Sequence, residues 1–350
     1  MKQEHIMASE IDDSILKRTW HHSRFEDIDR LVSLKQQKGL KISLAFPTLN
    51  EELTIGKEIL VIRTELMDRQ PLLDEIAIID SSSKDKTRQV AERFGARVIT
   101  SKNILPKYGT YRGKGENLWK SLYALEGDII VWVDADISNI APKFVYGLVG
   151  PLLEDDSISY VKAFYERPMH SLTGGFVESG GGRVTEILVR PLFSLFYPEL
   201  SFLIQPLSGE YSGRRSLLEQ LSFSTGYGVE LGHLIDICYL SGCGAIAQVD
   251  LDMRVHRNQS ISALSKMSYG ILNTFLTRAE KYGLVKLLSE LGDSHIALET
   301  QTDAKSKTSS ERQDSEHQII KTEISSEERP PMIEIPEYRE KFKDTQTQKT

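Results

Sequence analysis

Asp128-Ile-Ile-Val-Trp-Val-Asp134-Ala-Asp136 constrains this chain more than any other stretch: five apolar residues run directly into two carboxylates spaced one apart. An unbroken apolar run of that length, rich in β-branched residues, predicts a strand buried on both faces. Open α/β sheets present their ligands at such strand ends. Residues i and i+2 of an extended segment point to the same side, so both carboxylates can face one hard cation or one diphosphate. The plain alternative is a solvated turn, and the rest of the chain has to decide.

Around this strand, elements alternate. A strand at 41–46 meets Pro47, with Asn50 as the N-cap of a helix from Glu51 to about Arg69. A second strand, Glu75 to Ile79, ends at Asp80-Ser-Ser-Ser, and a short amphipathic helix from Asp85 closes at Gly95. A third strand covers Arg97 to Thr100; a loop holding Gly109, Gly113 and Gly115 leads to a helix from Glu116 to Leu125. This alternation predicts a parallel sheet wrapped by helices, a nucleotide-binding architecture of Rossmann type. Beyond it come a strand at 158–164, the glycine loop Glu178-Ser-Gly-Gly-Gly-Arg183, a helix from Val184 to Phe196, a strand at 245–251, and a long helix from Ile261 to about Tyr282.

The expected divisions are a helical N-terminal arm (1–39), a nucleotide-binding region (40–150), a second region (151–290) and a largely disordered tail (291–350). From about Glu299 to Arg329 large apolar residues are almost lacking, so too little surface can be buried to offset ordering entropy. The island Pro330-Pro-Met-Ile-Glu-Ile-Pro-Glu-Tyr338 departs from this and is expected to dock on the body or on a partner subunit.

Composition excludes some classes. A net charge of −7 leaves no global basic footprint for nucleic acid. No apolar run approaches the roughly 20 residues that span a bilayer, and residues 1–10 lack a secretory core. Cys238 and Cys243 are the only cysteines and read as buried thiols rather than a disulfide framework or zinc site. A cytoplasmic enzyme or binding protein fits.

Four further features carry candidate chemistry. Gly182, Arg183 and Thr185, in a glycine loop entering a helix, can hold a phosphate or carboxylate; a flexible linker is the alternative. Lys114, between two glycines, can neutralise a diphosphate, although no Walker spacing is present and loop lysines are usually solvated. His256 follows a strand and can join the Asp134–Asp136 strand end as a ligand to Mg²⁺ or Mn²⁺, or be merely structural. Glu230 opens a helix, where an acid often serves only as a dipole partner.

Taken together these segments resemble the glycosyltransferases of GT-A fold and, more narrowly, the glucosyl-3-phosphoglycerate synthases. The resemblance is carried by Phe46-Pro-Thr-Leu-Asn-Glu-Glu52, Ile79-Asp-Ser81, Gly113-Lys-Gly115, Asp134-Ala-Asp136, Gly181-Gly-Arg-Val-Thr-Glu186, Gln205-Pro-Leu-Ser-Gly-Glu-Tyr211, Gly226-Tyr-Gly-Val-Glu230, Ala245-Ile-Ala-Gln-Val249 and Val255-His-Arg-Asn258. It covers about residues 40–280, and its second half is the more specific. Thr48 and Ser208 are minor departures from residues common in the family.

The resemblance implies an α/β fold of GT-A type, with a Rossmann-like nucleotide-binding region on a mixed central sheet and a more helical acceptor-binding half. It implies retaining, metal-dependent transfer of glucose from UDP- or GDP-glucose to 3-phosphoglycerate, giving a precursor of glucosylglycerate, a compatible solute, with Mg²⁺ (or Mn²⁺ or Co²⁺) as cofactor and a homodimer as assembly. Pro47, Leu49, Glu51 and Ser81 should cradle base and ribose; Asp134 should hold ribose or sugar; Asp136 and His256 should bind the metal. Lys114 should approach the donor phosphate or sugar. Gly182, Arg183, Thr185 and Asn258 should hold the acceptor, while the Leu207 backbone and Glu230 orient the glucose. Neither a membrane nor nucleic acid is an expected partner. Transfer of another sugar, such as mannose, and a non-catalytic sugar-nucleotide binder are the competing readings.

Overall fold

Ile130 and Trp132 pack into one apolar cluster and Ile129 and Val131 into another, on opposite faces of the same strand. That alternation is why the run before Asp134 carries no polar residue: both faces of its sheet are covered. The computed structural model describes residues 12–167, 169–170, 176–177, 182–255, 259–300, 317–324 and 327–343. Its main sheet is built from β1 (Thr19–His21), β2 (Ile42–Thr48), β3 (Glu75–Asp80), β4 (Arg97–Thr100), β5 (Ile129–Trp132), β6 (Tyr160–Glu166), β7 (Tyr211–Arg214) and, after the short β8 (Phe223–Ser224), β9 (Ile246–Met253). The eight strands lie in the order β1-β9-β6-β7-β5-β2-β3-β4. All pair in parallel except β7, which runs antiparallel between β5 and β6. The sheet is therefore mixed, and the C-terminal ends of β2, β3 and β5 share one edge.

Helices α1 (Ile28–Gln37), α2 (Ile55–Arg63), α3 (Thr87–Arg93) and α5 (Lys143–Glu154) pack into the cluster on one face of the sheet, and α4 (Lys114–Ala124) into the cluster on the other. In α4 nearly every side chain from Gly115 to Leu122 is buried, Leu118, Trp119 and Leu122 completely. On the same face as α4 stand α6 (Arg190–Phe196), α7 (Val229–Ser241) and α8 (Ile261–Lys281).

Several expectations need correction. The N-terminal arm is not wholly helical: Thr19–His21 pairs with Gln248–Asp250 as an edge strand, with Trp20 packed against the apolar cluster there. Asn50 does not cap a helix. It sits at φ +59°, its backbone N–H donates to Ser83 Oγ and its Oδ1 accepts from Lys84, so it ties two strand-end loops together while α2 starts later, after Thr54. Cys238 and Cys243 are joined as a disulfide rather than standing as thiols.

The tail is also more ordered than its composition suggests. β10 (Ser294–Thr300) and β11 (His317–Glu323) form an antiparallel pair, and β12 (Glu328–Arg329) pairs with β8. Strand pairing satisfies the backbone of a polar segment without a large apolar payload, which composition alone does not register. Residues 301–316 lie outside the described residues. Met332, Ile335, Tyr338 and Phe342 are buried in the core shared with Trp119 and Trp132, where the 330–338 segment docks. Among the described residues, no helix is long and apolar enough to cross a membrane.

Candidate active site

β5 ends at Trp132, and the chain then turns through Asp134 to Asp136. The turn is held from α2: Thr54 Oγ1 donates to the Ala135 carbonyl at 2.6 Å, Lys57 to that of Ser138 at 2.7 Å, and the Ile137 N–H to Glu58 Oε1 at 2.8 Å. Glu58 is fully buried, and burial pushes its carboxyl up to about 9, so it is neutral at physiological pH. Three bonds to one turn fix where both aspartates point.

They point at one cation. Nη2 of Arg254 donates to Asp134 Oδ2 at 3.1 Å and to Asp136 Oδ1 at 2.6 Å. The same guanidinium reaches Glu210 Oε1 at 3.4 Å and the Tyr165 hydroxyl at 3.2 Å. It is almost completely buried, and such a charge persists only because acids surround it.

Lys114 approaches from the other side. Its Nζ is 2.6 Å from Asp134 Oδ1 and 3.1 Å from Glu230 Oε1, and it donates to the Gly209 carbonyl at 3.3 Å. Burial disfavours the ammonium, but Asp134 and Glu230 outweigh that and hold its pKa above the ordinary lysine value. For Asp134, burial opposes ionisation, yet Lys114 and Arg254 keep its carboxyl below the usual range. The flanking glycines have a steric reason. A Cβ on Gly113, which sits at φ +146°, would lie 2.1 Å from the Thr225 carbonyl oxygen, and one on Gly115 1.8 Å from that of Ser224. The helix start can therefore press against the 223–225 backbone and aim Lys114 into the cleft.

Lys114, Asp134, Asp136, Gly182, Arg183, Thr185, Leu207 and Glu230 line one cleft, although they come from five separate parts of the chain. Arg183 donates to the Gln259 carbonyl at 3.0 Å, and Gly182 adopts φ +85° ahead of the helical turn that contains Thr185. Pro47, Leu49, Glu51 and Ser81 do not line this cleft. They cluster at the ends of β2 and β3, where the Ser81 N–H donates to the Thr48 carbonyl and the Glu51 N–H to Thr87 Oγ1. Asn117 of α4 links this cluster to the interior, donating to Ser81 Oγ and to the Ile79 carbonyl at 2.8 Å each. His256 and Asn258 lie outside the described residues.

Arg254, Glu210, Tyr165 and Arg167, which lines the cleft and donates to the Tyr165 hydroxyl at 3.1 Å, were not among the expected site residues. Arg254 stands two positions before His256 and Glu210 within a segment already singled out, so their motifs were visible but their burial was not. The donor set suits a hard divalent cation: the Asp136 carboxylate is about a third exposed, at 31%, and only its Oδ1 is engaged by Arg254. A second convergence, His21 and His22 on the Asp252 carboxylate, already holds the Lys143 ammonium as counter-charge.

A mixed sheet of this order, with paired aspartates at the end of a buried strand and a basic cleft beside them, defines a nucleotide-sugar-dependent glycosyltransferase of GT-A fold. The chain belongs to the family described as Glycosyl transferase family 2, which matches residues 43–221. Within that family it is 58% identical over 330 residues to the glucosyl-3-phosphoglycerate synthase of Petrotoga mobilis, covering 94% of this chain and 98% of that one. The crystal structure of mannosyl-3-phosphoglycerate synthase from Rubrobacter xylanophilus superposes with a TM-score of 0.81 at 34% identity, covering 92% of this chain and 96% of that one. Glucosyl-3-phosphoglycerate synthase from Mycobacterium tuberculosis in complex with Mn²⁺, UDP-glucose and phosphoglyceric acid superposes with a TM-score of 0.71 at 40% identity, covering 87% and 94% respectively. The same M. tuberculosis enzyme has been solved with Mg²⁺ and UDP.

Proposed function

We propose that this chain transfers glucose from UDP-glucose to 3-phosphoglycerate with retention of anomeric configuration, giving glucosyl-3-phosphoglycerate. The observation that carries the reading is the meeting of Asp134, Asp136, Lys114, Glu230 and Arg183 on one cleft. Carboxylates competent for a metal and basic groups competent for phosphate meet there, as a diphosphate donor and a phosphorylated acid acceptor require. The match to the Petrotoga enzyme over nearly its whole length favours the glucosyl reaction over the mannosyl one.

Roles follow from residue chemistry. Pro47, Leu49, Glu51 and Ser81 cradle base and ribose at the ends of β2 and β3, and Asp134 holds ribose or sugar. Asp136 and His256 hold Mg²⁺, or Mn²⁺ or Co²⁺ in its place; when bound, the cation supplies counter-charge to the diphosphate. Lys114 adds a fixed positive charge where the leaving diphosphate gains negative charge. Gly182, Arg183, Thr185 and Asn258 clamp the acceptor's phosphate and carboxylate. The Leu207 backbone and Glu230 orient the glucose, so that the acceptor hydroxyl attacks from the face the diphosphate leaves. Glu230 positions the sugar and forms no covalent bond. Residues 40–150 thus form the donor half and 151–290 the acceptor half. GDP-glucose as an alternative donor, a homodimeric assembly, a cytoplasmic location and a place in compatible-solute synthesis belong to the same proposal.

The test is a matrix of UDP-glucose, GDP-glucose, UDP-galactose and GDP-mannose against 3-phosphoglycerate, with and without Mg²⁺, scored by product mass. A metal-dependent hexosyl-phosphoglycerate from a glucose donor is expected. Product from GDP-mannose alone would replace this reading with the mannosyl one, and no product from any donor would leave a sugar-nucleotide binder.

A further inference from the structure

The last described segment of the chain runs behind the cleft rather than into it. Glu328 and Arg329 pair with Phe223 and Ser224, and the Glu327 carbonyl accepts from the backbone N–H and the hydroxyl of Thr225. This is the backbone against which Gly113 and Gly115 press, leaving no room for a Cβ. From that strand the Arg329 guanidinium crosses to α4 and grips Glu116 through two bonds, Nε to Oε2 and Nη2 to Oε1, both at 2.7 Å. It also donates to the carbonyls of Tyr108 at 2.8 Å and Gly109 at 3.3 Å. Glu116 lies two residues after Lys114, and both partners of this pair are nearly or fully buried.

The neighbouring residue reaches the other side of the cleft. Glu328 Oε1 accepts from Arg278 at 2.5 Å, and Arg278 donates to Asp236 Oδ2 at 2.8 Å. Asp236 lies on α7, the helix whose first turn holds Glu230. The segment is tethered from below, because Trp119 Nε1 donates to the Pro330 carbonyl and the Tyr338 hydroxyl donates to Glu219 at 2.6 Å.

We infer that residues 327–330 form a clip that holds the Lys114–Glu230 ion pair in register, with Arg329 as its positioning residue. Arg329 touches no group that lines the cleft; it acts through Glu116 and the 108–115 turn. The bidentate fork is what a lysine cannot reproduce. A displacement of about 1 Å at Lys114 is enough to cost on the order of 10²-fold in turnover.

Full-length R329M and R329K test this, with Y338F as a control that loosens the same segment at its far end. Turnover of UDP-glucose with 3-phosphoglycerate is the activity readout, so that arm relies on the transferase reading above. R329M should lower kcat by about 10- to 100-fold, R329K should recover part of it, and Y338F should lower Tm while keeping wild-type kcat. Wild-type kcat in R329M, or equal kcat in R329M and Y338F, would overturn the inference. Should R329M fail to fold, R329K and E116Q carry the test, and wild-type kcat in both would sink it. Amide hydrogen exchange over residues 108–116 reads the clip without turnover. Exchange there should rise at least tenfold in the Arg329 variants, and unchanged protection would refute the clip even if the substrate assignment were wrong.

Discussion

Arg254 and Asp136 meet at 2.6 Å, a buried guanidinium against a carboxylate that is a third exposed to the cleft. The same Arg254 nitrogen serves Asp134, so one fixed cation sets the separation and direction of both aspartates. Arg254→Met should therefore damage fold and chemistry together. Removing the guanidinium leaves the fully buried Glu210 without its counter-charge, a loss of about 3–5 kcal/mol in stability. Turnover should fall by on the order of 10² or more. Denaturant unfolding and steady-state kinetics check this, and adding Glu210→Gln should return part of the stability but not the activity.

Asp136→Ala and Arg183→Ala should separate along the two substrates. The first should abolish metal-dependent turnover, with a loss on the order of 10² or more. The second should raise the acceptor KM while sparing sugar-nucleotide binding. Unchanged kinetics with 3-phosphoglycerate in the Arg183 variant would end the assignment of the acceptor clamp.

Glu58 makes stability depend on pH in a stated direction. Its carboxyl is held neutral in the folded chain up to about 9, mainly by burial, whereas unfolding lets it ionise near the ordinary value of about 4.3. Between those values the folded state carries the extra proton, so this group's contribution falls as pH rises, by at most about 1.4 kcal/mol per pH unit. Glu58→Gln keeps an acceptor for the Ile137 N–H and cannot ionise. Its melting temperature should exceed that of the parent at pH 8 and approach it at pH 5; parallel curves across that range would refute the assignment.

Chelation should silence the enzyme without unfolding it. Thr54, Lys57, Glu58 and Arg254 already hold the Asp134–Asp136 turn through protein bonds. Excess EDTA should remove turnover while shifting Tm by no more than the modest amount that a weakly held ligand contributes. A large fall in Tm would mean that the metal, not the protein, organises the turn.

Much of this molecule is local in origin. The alternation of strand and helix from 42 to 132, the buried strand before Asp134, the glycine pair around Lys114 and the docking apolar island after Pro330 follow from periodicity and from residue type within a few positions. The identities of Lys114, Asp134, Asp136, Arg183 and Glu230 as candidates came from motifs of the same short range. Tertiary structure decided what no local pattern encodes. It threaded β7 antiparallel between β5 and β6, brought Thr19–His21 to the sheet edge, and paired β12 with β8, far earlier in the chain. It also set Arg254 against Asp134 and Asp136, more than a hundred positions away along the chain. Spacing and amphipathicity report a residue's own element. The partner of a buried charge is chosen by which elements pack together, because only there can desolvation be offset by opposite charge.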